Sequence, residues 1–302
     1  SPPGAGCTVQ GRPNRRNPDG DVPLWKRAAR ELKSAVKRLL APKGISVTPP
    51  DEPYLIVPIL GQSNAFGMGL PLDAADTPHP LVHQWANCGR AKNTAILAVD
   101  PLLHETPSRR VGFGVTFGKA LAEATNRPVL LVPCACGDTS FHPKNGYTWD
   151  IANTTTRRNL YREAVASINA ALARYLDATV AVVLWHQGES DVPLLTAPDY
   201  QRRLDALFED LRARYGPGLP IIVGGMVPEE MEHSGKDYRP INAVHEDTPR
   251  RLPRTAFVPG HRNAFNSDTD RHYNASGVRA MGSDMWEAYR QLDADRLDSY
   301  RR

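Results

Sequence analysis

The chain has 302 residues, 41% of them hydrophobic and 23% charged, with a net charge of +4. That is enough apolar material for one large core, or for a domain with an appendage. The charge is too small to point to nucleic acid, no zinc-finger, RNA-binding or helix-turn-helix signature accompanies it, and no apolar stretch approaches the length of a membrane span.

Residues 1 to about 20 are rich in Pro, Gly, Arg and Asn, a composition that buries little surface. Leu24, Trp25, Ala28, Leu32, Ala35, Val36, Leu39 and Leu40 then recur at helical spacing. Asp21 is placed to cap this helix, Pro23 suits its first turn, and Pro42 with Gly44 ends it. Its other face carries Lys26, Arg27, Arg30, Lys33, Lys37 and Arg38. Such a helix can lie on an anionic membrane surface through residues 24–40, but the expected arrangement packs the apolar stripe on the domain and solvates the charges. Residues 45–53 read as a linker, which divides the chain into a basic extension, 1–52, and a main domain, 53–302.

From Tyr54 onward strand-like and helix-like patterns alternate. Apolar runs occupy 54–60, about 95–99, 128–133, 179–185, 220–225 and about 255–259. Helical patterns lie near 113–125, 158–176, 198–215, 239–250 and 276–292. The third shows Tyr200, Leu204, Leu207, Phe208, Leu211 and Tyr215 on one stripe. This alternation predicts an α/β fold with a parallel sheet covered on both faces. There are too few βα units for a closed eight-fold barrel.

Cys7, Cys88, Cys134 and Cys136 are too few for a disulfide framework in so long a chain. Cys134-Ala135-Cys136 is not a usual metal or redox spacing, and both thiols read as buried at the end of a strand. His186 and Glu189 have the spacing of ligands on a helix, but they fall in a post-strand loop without a third partner, so no metal site is expected. No cofactor is implied.

Three segments carry chemistry. Gly61-Gln62-Ser63-Asn64-Ala65-Phe66-Gly67 follows the first apolar run, at the mouth of an open sheet, where ligands bind. It is not the Gly-x-Ser-x-Gly nucleophile elbow, because Ala65 takes the place of the second glycine. Trp185-His186-Gln187-Gly188-Glu189-Ser190-Asp191 ends another apolar run, and Asp268-Thr269-Asp270-Arg271-His272-Tyr273-Asn274 precedes the last helical pattern. A serine, an amide-bearing loop and a late histidine are the parts that serine-based acyl transfer needs.

These residues together resemble the SGNH hydrolase superfamily, and within it the sialate O-acetylesterase-like carbohydrate esterases. The matching blocks are Gly61 to Asn64, Gly137-Asp138-Thr139-Ser140, His186 to Glu189, and an altered Asp-x-x-His ending at His272. The resemblance runs from about Tyr54 to about Tyr289. It implies a three-layer α/β/α sandwich with a flavodoxin-like parallel sheet. It also implies a cofactor-independent esterase that removes acetyl or other short acyl groups from a small or polymeric carbohydrate.

On that resemblance Ser63 is the nucleophile and His272 its base, with Gly282 ten residues later as the family has it. The oxyanion hole combines the backbone N–H groups of Ser63 and Gly137 with the side-chain amide of Gln187, where the wider superfamily uses an asparagine. Asn64 and His186 are expected to line the substrate, although Asn64 suits a turn-stabilising role and His186 a shaping one. The acid is where the sequence departs from the family, because Thr269 stands three before His272. Glu189 is the first choice to replace it, Asp270 the second and Asp268 the third. An acyltransferase on the same residues and a non-catalytic carbohydrate-binding relative are the competing readings. A secreted or cell-envelope location is expected over a cytoplasmic one.

Overall fold

The computed structural model describes residues 44–105, 110–267 and 269–300, with the backbone alone at Thr269 and Asp270. The predicted helix at 24–40, Cys7 and Asp268 lie outside the described residues, as does the Asp270 side chain. The strands are β1 (Leu55–Gly61), β2 (Val82–Trp85), β3 (Ala95–Leu97), β4 (Val129–Pro133), β5 (Tyr147–Thr148), β6 (Arg158–Asn159), β7 (Thr179–Val180), β8 (Val183–His186), β9 (Ile221–Gly224), β10 (Thr255–Val258), β11 (Phe265–Asn266) and β12 (Thr269–Tyr273). The helices are α1 (Ser63–Phe66), α2 (Phe113–Thr125), α3 (Leu160–Arg174), α4 (Ala197–Tyr215), α5 (Pro228–His233), α6 (Arg239–Arg251), α7 (Ala275–Leu292) and α8 (Ala294–Tyr300).

The main sheet has the order β10-β9-β8-β1-β4-β2-β3, with β7 also paired to β1. Its pairings are parallel except β2 with β3. Alternation along the buried central strand β1 separates two cores. Leu55, Val57 and Ile59 join residues of α2 and α7 on one face. Ile56 and Leu60 join α3, α4 and α6 on the other. The architecture is therefore the three-layer α/β/α sandwich. In α4 the stripe Tyr200, Leu204, Leu207, Phe208 and Leu211 is buried, each large apolar side chain contributing about 1.5–3 kcal/mol. The helix begins where Thr196 accepts a bond from the Asp199 N–H, with Pro198 in the first turn.

Strand β2 is missing from the sequence reading, because His83 and Gln84 interrupt its apolar pattern. Both are buried and bonded. Gln84 Oε1 accepts from the Leu103 N–H at 2.7 Å, and His83 Nδ1 meets the Tyr54 hydroxyl. Burial holds the His83 imidazole below its ordinary value. The long run 179–185 is divided into β7 and β8. Residues expected to be linker lie along the outer edge of β3, where Leu97 N–H donates to Ile45 O at 2.9 Å and Ser46 bridges Ile96.

After β1 the chain builds the β4-β2-β3 side of the sheet, then crosses to build β8, β9 and β10. That reversal leaves β1 between β4 and β8, and opens a crevice at the carboxyl ends of the three.

Candidate functional site

Gly61 ends β1 with φ +126°, and a Cβ there would stand 2.0 Å from His186 O. Only glycine fits against β8 so closely. Gln62 N–H then donates to His186 O at 2.9 Å, and its side chain turns inward. Gln62 Oε1 accepts from the N–H groups of Gly188 (3.3 Å) and Ser190 (3.1 Å). Ser63 opens α1 and is 8% exposed. Its Oγ lies 3.0 Å from His272 Nε2, brought in by β12. A serine hydroxyl at that distance from an imidazole nitrogen can pass its proton to it.

Gly137 reaches the same place from β4. Cys134 N–H donates to Ile59 O and Cys136 N–H to Gly61 O, at 2.9 and 3.0 Å, which extends the β1–β4 ladder past the strand ends. Gly137 is the next residue, one step beyond this bond to Gly61, as Ser63 of α1 is two steps beyond Gly61. Gly137 is exposed. Among the described residues neither its N–H nor that of Ser63 donates to a protein acceptor.

Three expected roles need correction. Gln187 is fully buried, and its amide nitrogen already meets Asp191 Oδ2 (2.7 Å), Thr139 O (3.2 Å) and Gln62 Oε1 (3.3 Å). Two hydrogens facing three acceptors leave none for an oxyanion. Asn64 is also fully buried, which takes it out of a substrate-lining role. Its amide donates to Glu189 Oε1 at 3.0 Å and to Arg271 O at 3.3 Å, while its oxygen accepts from Tyr273 N–H at 3.2 Å. It therefore grips the backbone on both sides of His272. His186 is buried as well, donating from Nε2 to Gly225 O at 2.8 Å, so it shapes the floor without lining the substrate.

Glu189 makes no hydrogen bond or ion pair with His272. Its Oε1 holds Asn64 and lies 3.6 Å from His186 Nδ1, and its Oε2 has no hydrogen-bond partner among the described residues. Among the described residues the preferred acid is linked through Asn64 to the backbone on either side of His272. Asp270 belongs to β12 by its backbone. Among the described residues no three His, Cys, Asp or Glu side chains gather as a metal site would require.

The sequence reading missed the residues that join these loops. Asp191 is fully buried and accepts from Phe141 N–H and His142 N–H, both at 3.0 Å, as well as from Gln187. Burial raises its carboxyl above the ordinary value, while these three donors pull it back. Tyr200 hydroxyl bonds Gln187 and meets His245 Nε2 at 2.8 Å. Burial pushes His245 down to about 3, so this imidazole is neutral. Asp191 stands inside the Trp185 to Asp191 block, which was its one available signal.

Residues 54–291 match the family described as carbohydrate esterase, sialic acid-specific acetylesterase. A curated relative from Arabidopsis thaliana, named "Probable carbohydrate esterase", is 32% identical over 117 residues, 37% of this chain and 40% of that protein. The crystal structure of an Arabidopsis thaliana protein superposes with TM-score 0.64 at 23% identity, over 79% of this chain and 98% of the other. That of NanS gives TM-score 0.68 at 20% identity, over 82% and 100%.

Proposed function

Since the chain belongs to the carbohydrate esterase family of sialic acid-specific acetylesterases, we propose that it removes acetyl or other short acyl groups from a carbohydrate through an acyl-enzyme on Ser63. The observation that carries this reading is the 3.0 Å contact between Ser63 Oγ and His272 Nε2, together with the N–H groups of Ser63 and Gly137, which have no protein acceptor among the described residues. Ser63 Oγ attacks the ester carbonyl as His272 Nε2 takes its proton. The oxygen that gains charge meets the N–H groups of Ser63 and Gly137, each such donor worth about 3 kcal/mol. Collapse expels the sugar oxygen, which takes the proton from His272. A water, activated by the same imidazole, then releases the acid and restores Ser63.

Hydrolysis of p-nitrophenyl acetate by the wild type, labelling of Ser63 by a fluorophosphonate, and loss of both in Ser63→Ala are the expected results. Labelling at a different serine would overturn the assignment. Among p-nitrophenyl esters, rates should fall steeply beyond butyrate.

A further inference from the structure

His104 lies outside the blocks that carry the resemblance, yet it packs against the helix that begins with Ser63. It sits between β3 and α2 and is 1% exposed. Its ring centroid is 5.1 Å from that of Phe66. Ser63 and Phe66 are three residues apart in α1, so they share one side of that turn. The ring also meets the chain leaving β4, where Ala135 N–H donates to His104 Nδ1 at 3.0 Å. Gly137 follows two residues later. The imidazole thus touches both the helix that begins with Ser63 and the chain that runs on to Gly137.

The bond from Ala135 fixes the tautomer. With Nδ1 accepting, the proton of the neutral ring resides on Nε2. Burial pushes His104 down to about 3, so the ring stays neutral through the working range of an esterase. Among the described residues the hydrogen bond to the ring is at Nδ1, which leaves the Nε2–H donor available to a ligand. Bound substrate can supply the acceptor. The carbonyl oxygen of the ester already meets Ser63 and Gly137, but the sugar brings further oxygens into the same crevice.

We propose that His104 Nε2–H donates to a carbohydrate oxygen of the substrate and so favours sugar esters over simple ones. The proposal rests on the esterase reading of Ser63.

His104→Asn keeps an acceptor near the Nδ1 position and removes the Nε2 donor; His104→Gln keeps a donor near Nε2 and removes the acceptor. Each is assayed with a mono-O-acetylated sialic acid and with p-nitrophenyl acetate, folding being followed by circular dichroism. His104→Asn should lower kcat/KM on the sugar ester about tenfold, or about 1.4 kcal/mol, chiefly through KM, and leave p-nitrophenyl acetate within about twofold. His104→Gln should retain more of the sugar-ester rate. Equal losses on both substrates, or an unaffected His104→Asn in an active enzyme, would overturn the contact alone. A wild type inactive on both esters would overturn the esterase reading and the contact with it.

Discussion

Asn64 holds the backbone at Arg271 and Tyr273, and Glu189 holds Asn64. Their side chains thereby fix where His272 stands, without touching the reacting atoms. Loss of that grip and loss of a triad acid predict different mutant series. Asn64→Ala removes both contacts to the histidine segment, and a shift of about 1 Å in His272 is enough to lower kcat about 100-fold. Glu189→Gln still offers Oε1 to Asn64, so kcat should stay within about tenfold of wild type, whereas Glu189→Ala should approach Asn64→Ala. A fall of about 10⁴ in Glu189→Gln, the size seen when a triad aspartate is amidated, would instead make Glu189 the acid. The sequence brought Ser63 and His272 forward because motif and chain order identify them. The roles of Asn64 and Gln187 stayed hidden because a loop side chain has no periodicity to say whether it points inward or outward.

Three post-strand loops meet at the carboxyl end of the sheet, and Gln62, Gln187 and Asp191 pin them together. Asp191 ties the loop after β8 to that after β4 through Phe141 and His142. Asp191→Ala would take the acceptor from the Phe141 and His142 N–H groups, the first of them buried, while the Gln187 amide keeps Thr139 O and Gln62 Oε1; the expected cost is about 1–3 kcal/mol. The urea midpoint should fall accordingly; an unchanged midpoint would mean that the loops hold without it. Elements with one clear period were legible. Helix α2 spans the predicted 113–125, and α6 ends one residue beyond its predicted end. Strand β2 was not legible, since a strand buried on both faces can hold His83 and Gln84 only through tertiary partners, which adjacent residues do not announce. The short pairs β5–β6 and β11–β12 involve so few residues that turns and strands look alike in sequence.

At the scale of the molecule, two interleaved cores on either side of one sheet position a site that occupies only the sheet's carboxyl end. Strand β3 bounds that sheet on the side away from β10, and the segment at Ile45 and Ser46 lies against it. A strand with open N–H and C=O groups is a template on which another chain can pair. Here residues outside the esterase family match, which begins at residue 54, occupy part of that template. A chain beginning at Asp51 should therefore keep its p-nitrophenyl acetate turnover but self-associate as its concentration rises, seen as growing light scattering, where the full chain does not. Equal scattering from both would show that the edge resists pairing unaided. If the shorter chain does associate, the stretch before Tyr54 serves solubility, a property selected independently of the reaction.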